Sequence, residues 1–167
     1  MQTLPEIKRK EIEKAKTSDD AWDFLSLFTG EYIEMADKNH KIMEEFNASQ
    51  HTLLAYNYFE GQVCNGGFIQ LIHNGYGGYI FDNPFAEALK LFGAEETAKI
   101  VEEAKVLYDK YKENLEKECS IEEFSALYKE ITDFEPLENR FYKIMDQETK
   151  NIKKYVEENI EEFAVIK

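Results

Sequence analysis

A chain of 167 residues has the length of one domain, and 34 Asp and Glu against 20 Lys and Arg give it a net charge of -14. Such a charge repels nucleic acid and anionic lipid and draws basic partners within about one Debye length, so neither direct nucleic-acid binding nor membrane association is expected. Hydrophobic residues at 43% and aromatics at 14% exclude a disordered acidic tail, because they supply enough apolar surface for a real core.

One acidic helical domain over residues 1–167 is therefore expected, with residues 1–18 as a loosely packed N-terminal helix. The first sixteen residues are polar and charged, with no apolar leader, and Cys64 and Cys119 form no C-x-x-C pair. A cytoplasmic protein with reduced thiols is the expectation.

In chain order, helical period begins over Asp19–Lys38, where Trp22, Leu25, Thr29, Tyr32 and Ala36 step by three or four. Asp19 or Asp20 can cap this helix, and Gly30 is a place for a kink or a division. From Ser49, residues Leu53, Leu54, Ala55, Tyr56, Phe59 and Val63 mark a helix apolar over a broad arc, as a central helix should be, and Asn65-Gly66-Gly67 ends it. Phe68–His73 makes about two more turns before Asn74-Gly75. Gly75–Asn83 reads as turns, and Phe85–Phe92 forms a short helix with Pro84 at its first position.

Ala94–Lys117 is long and amphipathic, with Ile100, Ala104, Leu107, Tyr108, Tyr111 and Leu115 on one stripe. Ser120 and Glu123 form a capping box for a helix whose buried face is Ile121, Phe124, Leu127, Tyr128 and Ile131. Asp133 and Pro136 open a last long helix carrying Leu137, Phe141, Ile144, Met145, Ile152, Tyr155, Val156 and Phe163. The expected fold is all-α, six to eight helices around a Gly-rich central turn.

Charge divides unevenly along this order. Residues 1–60 hold 12 acids and 7 bases, residues 61–93 hold 2 and 1, and residues 94–167 hold 20 and 12, so acid lies on the helical flanks of a nearly neutral centre. Carboxylates three or four apart on a helix stand about 5–6 Å apart, comparable with neighbouring phosphates on a DNA strand. Two rows answer that description: Glu31, Glu34, Asp37, Glu44 and Glu45, then Glu95, Glu96, Glu102, Glu103, Asp109, Glu113 and Glu116.

Other chemistries fare worse. Glu31, Glu34, Asp37, His40 and Glu44 have the spacing of a helical metal site, yet a ferritin-like centre needs a second E-x-x-H helix, and neither His51 nor His73 has an acid three residues before it. Cys64 precedes a glycine turn with His73 beyond it, a conceivable nucleophile and base, although a Cys on an apolar helix is usually a small core residue. The run Gly75-Tyr76-Gly77-Gly78-Tyr79 lacks the spacing of a phosphate loop. No catalytic residue, cofactor or metal is assigned. The alternatives to surface mimicry are a binding module that grips through the aromatic surface around Gly75–Phe85, and a small enzyme using Cys64, His73 or Gln70.

The segment from Glu60 through Gln62, Val63, Asn65, Gly66, Gly67, Phe68 and Gln70, followed by Asn74 and Gly75, resembles the Q-V-x-N-G-G-F-x-Q hallmark of a bacterial family of small acidic helical domains named after a DNA-mimic protein. The likeness runs from about Trp22 to Phe163. It implies an all-α fold, a homodimer, no catalysis, and a basic DNA-binding protein as the partner whose DNA-binding surface the acid rows occupy. The motif residues look architectural, whereas the carboxylates would carry the activity.

Overall fold

The computed structural model describes residues 3–167, which form eight α-helices, two short 3-10 turns and one pair of two-residue strands, so the chain is all-α as expected. Strand β1 (Glu6–Ile7) leads into α1 (Arg9–Lys16), which buries Ile12 and Ala15. Asp20 then caps α2 (Ala21–Lys38), its carboxylate accepting from the Trp22 N–H at 2.9 Å. The helix runs undivided through Gly30 and buries Phe24, Leu25, Phe28 and Tyr32.

The central helix α3 (Ala48–His73) is capped by Asn47 with Gln50 rather than started by Ser49. The Asn47 side chain accepts from Gln50 N–H at 2.8 Å while Gln50 Oε1 accepts from Asn47 N–H at 3.0 Å. Leu53, Leu54, Tyr56, Phe59 and Val63 before the glycines, and Phe68, Leu71 and Ile72 after them, are wholly buried. Gly67 breaks the helix with φ 75° and ψ -171°, so the stop expected at Asn65-Gly66-Gly67 is a kink inside one continuous element.

The stretch expected as turns contains a short helix, α4 (Gly77–Phe81). Tertiary contact overrides two adjacent glycines here: Gly77 lies so close to Tyr108 that a Cβ would come within 2.6 Å of its ring, and Phe81 stacks on the same ring at 4.8 Å. Helix α5 (Phe85–Leu91) follows Pro84, which sits at the cap rather than at the first helical position. Helix α6 (Glu95–Leu115) packs on α3, α4 and α5.

Ser120 starts α7 (Ile121–Glu130), its hydroxyl accepting from Glu123 N–H at 3.1 Å, while the reciprocal bond of the expected capping box, from Ser120 N–H to the Glu123 carboxylate, is not made. The expected buried face does not form. Alone among the eight α-helices, α7 buries none of its residues: Ile121 is 82% exposed and Tyr128 37%, while Phe124 and Leu127 are half-buried and Ile131, just past the end, is buried. An amphipathic stripe marks the side that faces the protein, and at the edge of the fold it does not ensure that anything covers it.

Helix α8 (Glu135–Glu158) packs on α2, α3 and α6 and ends at Asn159. Phe163, expected on this helix, lies beyond a 3-10 turn and is fully buried, with its carbonyl accepting from Tyr32 OH at 2.8 Å. Strand β2 (Val165–Ile166) then pairs in parallel with β1, Glu6 opposite Val165.

Candidate functional site

The hallmark residues meet at the kink. Leaving helical geometry at Gly67 frees backbone groups that a straight helix would pair, and three side chains from outside α3 take them up. Tyr142 OH donates to the Val63 carbonyl at 3.0 Å, Tyr128 OH donates to the Gly66 carbonyl at 2.7 Å, and the Phe68 N–H donates to Glu138 Oε1 at 2.9 Å.

Around this kink the motif amides join into a chain. Asn65 Nδ2 donates to Gln70 Oε1 at 3.0 Å, Gln70 Nε2 to Gln62 Oε1 at 3.0 Å, and Asn74 Nδ2 to the same Gln62 oxygen at 2.9 Å. Gly75, at φ 89°, turns the chain out of α3. The motif thus binds its own segment.

The acid rows are on the surface, with Glu31 half-buried and the other eleven exposed. Cations already answer five of them: Lys38 pairs with Glu34, Lys99 with Glu96, Lys90 with Glu102, Arg140 with Glu103 and Lys105 with Asp109. Tyr108 OH donates to Glu116 at 2.7 Å and Thr3 to Glu45 at 2.5 Å. Among the described residues Glu31, Asp37, Glu44, Glu95 and Glu113 make no ion pair.

Magnitude separates the rows further. Helix α6 carries six acids and four lysines, a net charge of -2. Its 21 residues span about 31 Å, over which duplex DNA presents roughly 18 phosphates. The densest acid lies elsewhere: residues 116–135 hold Glu116, Glu118, Glu122, Glu123, Glu130, Asp133 and Glu135 against Lys117 and Lys129 alone. Only Glu116 of these was singled out from the sequence; a local charge count, rather than helical spacing, is the signal that finds the rest.

The other chemistries lose their geometry. Cys64 Sγ lies 3.6 Å from Glu60 Oε1 and 3.5 Å from Met145 Sδ, and burial, then the Glu60 charge, pushes its thiol up to about 11, away from a reactive thiolate. His73 Nδ1 is engaged by the Leu115 carbonyl at 3.0 Å, and its ring lies on Phe124. Among the described residues no group of three or more His, Cys, Asp or Glu is disposed to hold a metal ion. Of the aromatic surface expected around Gly75–Phe85, Ile80, Phe81 and Phe85 are buried in the core, whereas Tyr76 and Tyr79 are half-buried, and Tyr79, Pro84 and Phe85 line a cavity of about 290 Å³. Among the described residues no helix is long and apolar enough to cross a membrane.

Two inward carboxylates of α8 act as caps on other helices. Glu138 takes the Phe68 N–H at the restart of α3, and Glu148, 5% exposed, takes the Thr97 N–H in the first turn of α6 at 2.8 Å. Burial raises both above the ordinary carboxylate value of 4.5, with the hydrogen bonds opposing. A raised folded-state value means the native state binds the proton more tightly, so stability increases as pH falls from neutrality toward 4.5 and is lost as pH rises through the raised values. Thermal unfolding at constant ionic strength is expected to show that slope, and Glu138→Gln with Glu148→Gln, which keep an acceptor oxygen, to flatten it. An unchanged slope in the double variant would assign it to Glu60, which burial also raises, or to surface repulsion.

The family described as DMP19-like protein has a model that matches residues 44–159, from the 3-10 turn before α3 through the end of α8. The chain belongs to this family of DNA-mimic domains. A relative from Neisseria meningitidis serogroup B, named DNA mimic protein DMP19, is 30% identical over 165 residues, 98% of this chain and 96% of its own length.

Proposed function

We propose that this chain is a non-enzymatic DNA mimic: one acidic domain that works in the cytoplasm as a homodimer and occupies the DNA-binding surface of a basic transcriptional regulator or nucleoid protein. The observation that carries the reading is the near full-length likeness to a protein named as a DNA mimic, joined to a net charge of -14 displayed on exposed helical faces. Carboxylates without a cation partner among the described residues, Glu31, Asp37, Glu44, Glu45, Glu95, Glu113 and Glu116, present that charge most directly, and electrostatic steering brings a basic partner to them. The motif from Gln62 to Gly75 serves as scaffold.

The test uses DNA-binding proteins of the source cell held on duplex DNA-cellulose in low salt. Added chain is expected to release at least one of them in proportion to its concentration, with release weakening steeply as salt rises. Sedimentation of the purified chain should give twice the 19.6 kDa chain mass. If nothing leaves the DNA at any concentration of the chain, mimicry fails.

A further inference from the structure

The densest acid of the chain borders a groove with a mixed polar and apolar lining. Between the C-terminal end of α6 and α7 lies a depression of about 550 Å³. Tyr111, Ala126, Leu127 and Ile131 give it apolar lining, Glu118, Glu123 and Glu130 stand along it, and Asn114 and Lys117 also line it, so the acids outnumber the single cation three to one. Leu127 lines the groove from α7 and Ile131 follows just past the helix end, while Glu123 and Glu130 lie one turn before and one after Leu127 on the same side of the helix. Mimicry of a phosphate backbone explains the acids and leaves the apolar lining unaccounted for.

We infer that this groove seats a basic amphipathic helix of the partner, the element that a helix-turn-helix protein inserts into the major groove. Such a helix carries Arg and Lys for phosphates and guanine, and apolar side chains that touch thymine methyl groups. Carboxylates beside an apolar lining offer both kinds of contact together. The dimensions agree, since α7 presents ten residues, about 15 Å of helix, to a partner helix of similar length. A second copy of this chain is a poor occupant, because residues 116–135 carry seven acids against two bases and would face like charge. The same groove explains why α7 buries none of its own residues.

The inference rests on the proposed mimicry for the identity of the partner, and its test separates the two. Cys119 lines the groove, whereas Cys64 is exposed elsewhere beside Met145 and Glu60, so the chain carries its own reporter and reference. The probe is a lactam-stapled helical peptide of about 12 residues with Arg and Leu on one face, compared with a stapled isomer of the same composition whose Arg and Leu are dispersed. Iodoacetamide alkylation of both cysteines is followed by mass spectrometry.

At peptide concentrations about tenfold above Kd, alkylation of Cys119 is expected to slow about tenfold while Cys64 is unaffected, and the dispersed isomer should protect far less. The pair Glu123→Lys and Glu130→Lys should abolish protection, whereas Asp37→Lys with Glu44→Lys, an equal charge change on a distant surface, should preserve most of it. Equal protection by both peptides, or equal loss in both variants, overturns the groove in favour of unspecific charge. Release of a protein from DNA-cellulose without any protection of Cys119 leaves mimicry standing and removes the groove. Protection without release keeps a basic-helix site and removes mimicry.

Discussion

Gly67→Ala is expected to lower the melting temperature of this chain by roughly 10–15 °C. The backbone at Gly67 has φ 75° and ψ -171°, a region that essentially only glycine occupies, and holding alanine there costs about 1–3 kcal/mol. An added Cβ would also stand 2.2 Å from Glu138 Oε1. The carboxylate must move, and its departure strands the Phe68 N–H inside the fold, a further ~1–3 kcal/mol. Together these reach roughly 3–5 kcal/mol, and each kcal/mol shifts a domain of this size by about 2–4 °C. Thermal unfolding followed by circular dichroism measures it, with Gly61→Ala as the contrast. Gly61 lies within α3 before the kink, with nothing within 4 Å of its would-be Cβ, so alanine there should raise stability by about 0.5–1 kcal/mol. Equal melting temperatures for the two variants would mean that α3 does not depend on the kink.

Reversing four exposed, unpaired carboxylates to lysine, Asp37, Glu44, Glu95 and Glu113, should weaken competition with DNA about 100-fold in low salt. Each reversal adds two positive charges, so the four take the net charge from -14 to -6. Steering toward a basic surface depends on that field, and like charge facing like charge costs several kcal/mol more, so both association rate and affinity fall. Melting should move little, since these side chains are exposed and make no ion pair. Reversing Glu102 and Glu103 would be a weaker choice, because each already pairs, with Lys90 and Arg140, and lysine there would abut its former partner. Undiminished competition by the fourfold variant would end the surface-charge reading.

Much of this architecture is legible in the sequence where the causes are local. Asp20 and Ser120 act within three residues of themselves, and the three-and-four spacing of Leu25, Thr29 and Tyr32 needs only the helix they share. What stays hidden depends on distant partners. Helix α4 forms because Tyr108, far along the chain, receives Gly77 and Phe81; Phe163 enters the core after α8 has ended; the two-residue strands pair across the whole sequence with no periodicity to announce them.

The acid surface divides along the same line. The pairs Lys38 with Glu34 and Lys105 with Asp109 follow from i,i+4 spacing, but Lys90 with Glu102 and Arg140 with Glu103 join residues 12 and 37 positions apart. Spacing therefore identifies which carboxylates share a helix face and is silent about which of them are already neutralised. The acids of residues 116–135 form no single row, being spread over the loops on either side of α7, α7 itself and the first residue of α8, so helical spacing passes them by.

The kink at Gly67 makes demands of its own on the sequence, apart from any surface charge. Its glycine, its amide chain and the two tyrosines and one glutamate that close it are fixed by a change of helix direction, and none of those demands refers to a partner. Carboxylates on α2, α6 and α7 are free to drift to other residues without disturbing the bend. A chain with the same bend and neutral or basic outer faces would keep this scaffold and lose the negative field on which the proposed mimicry depends.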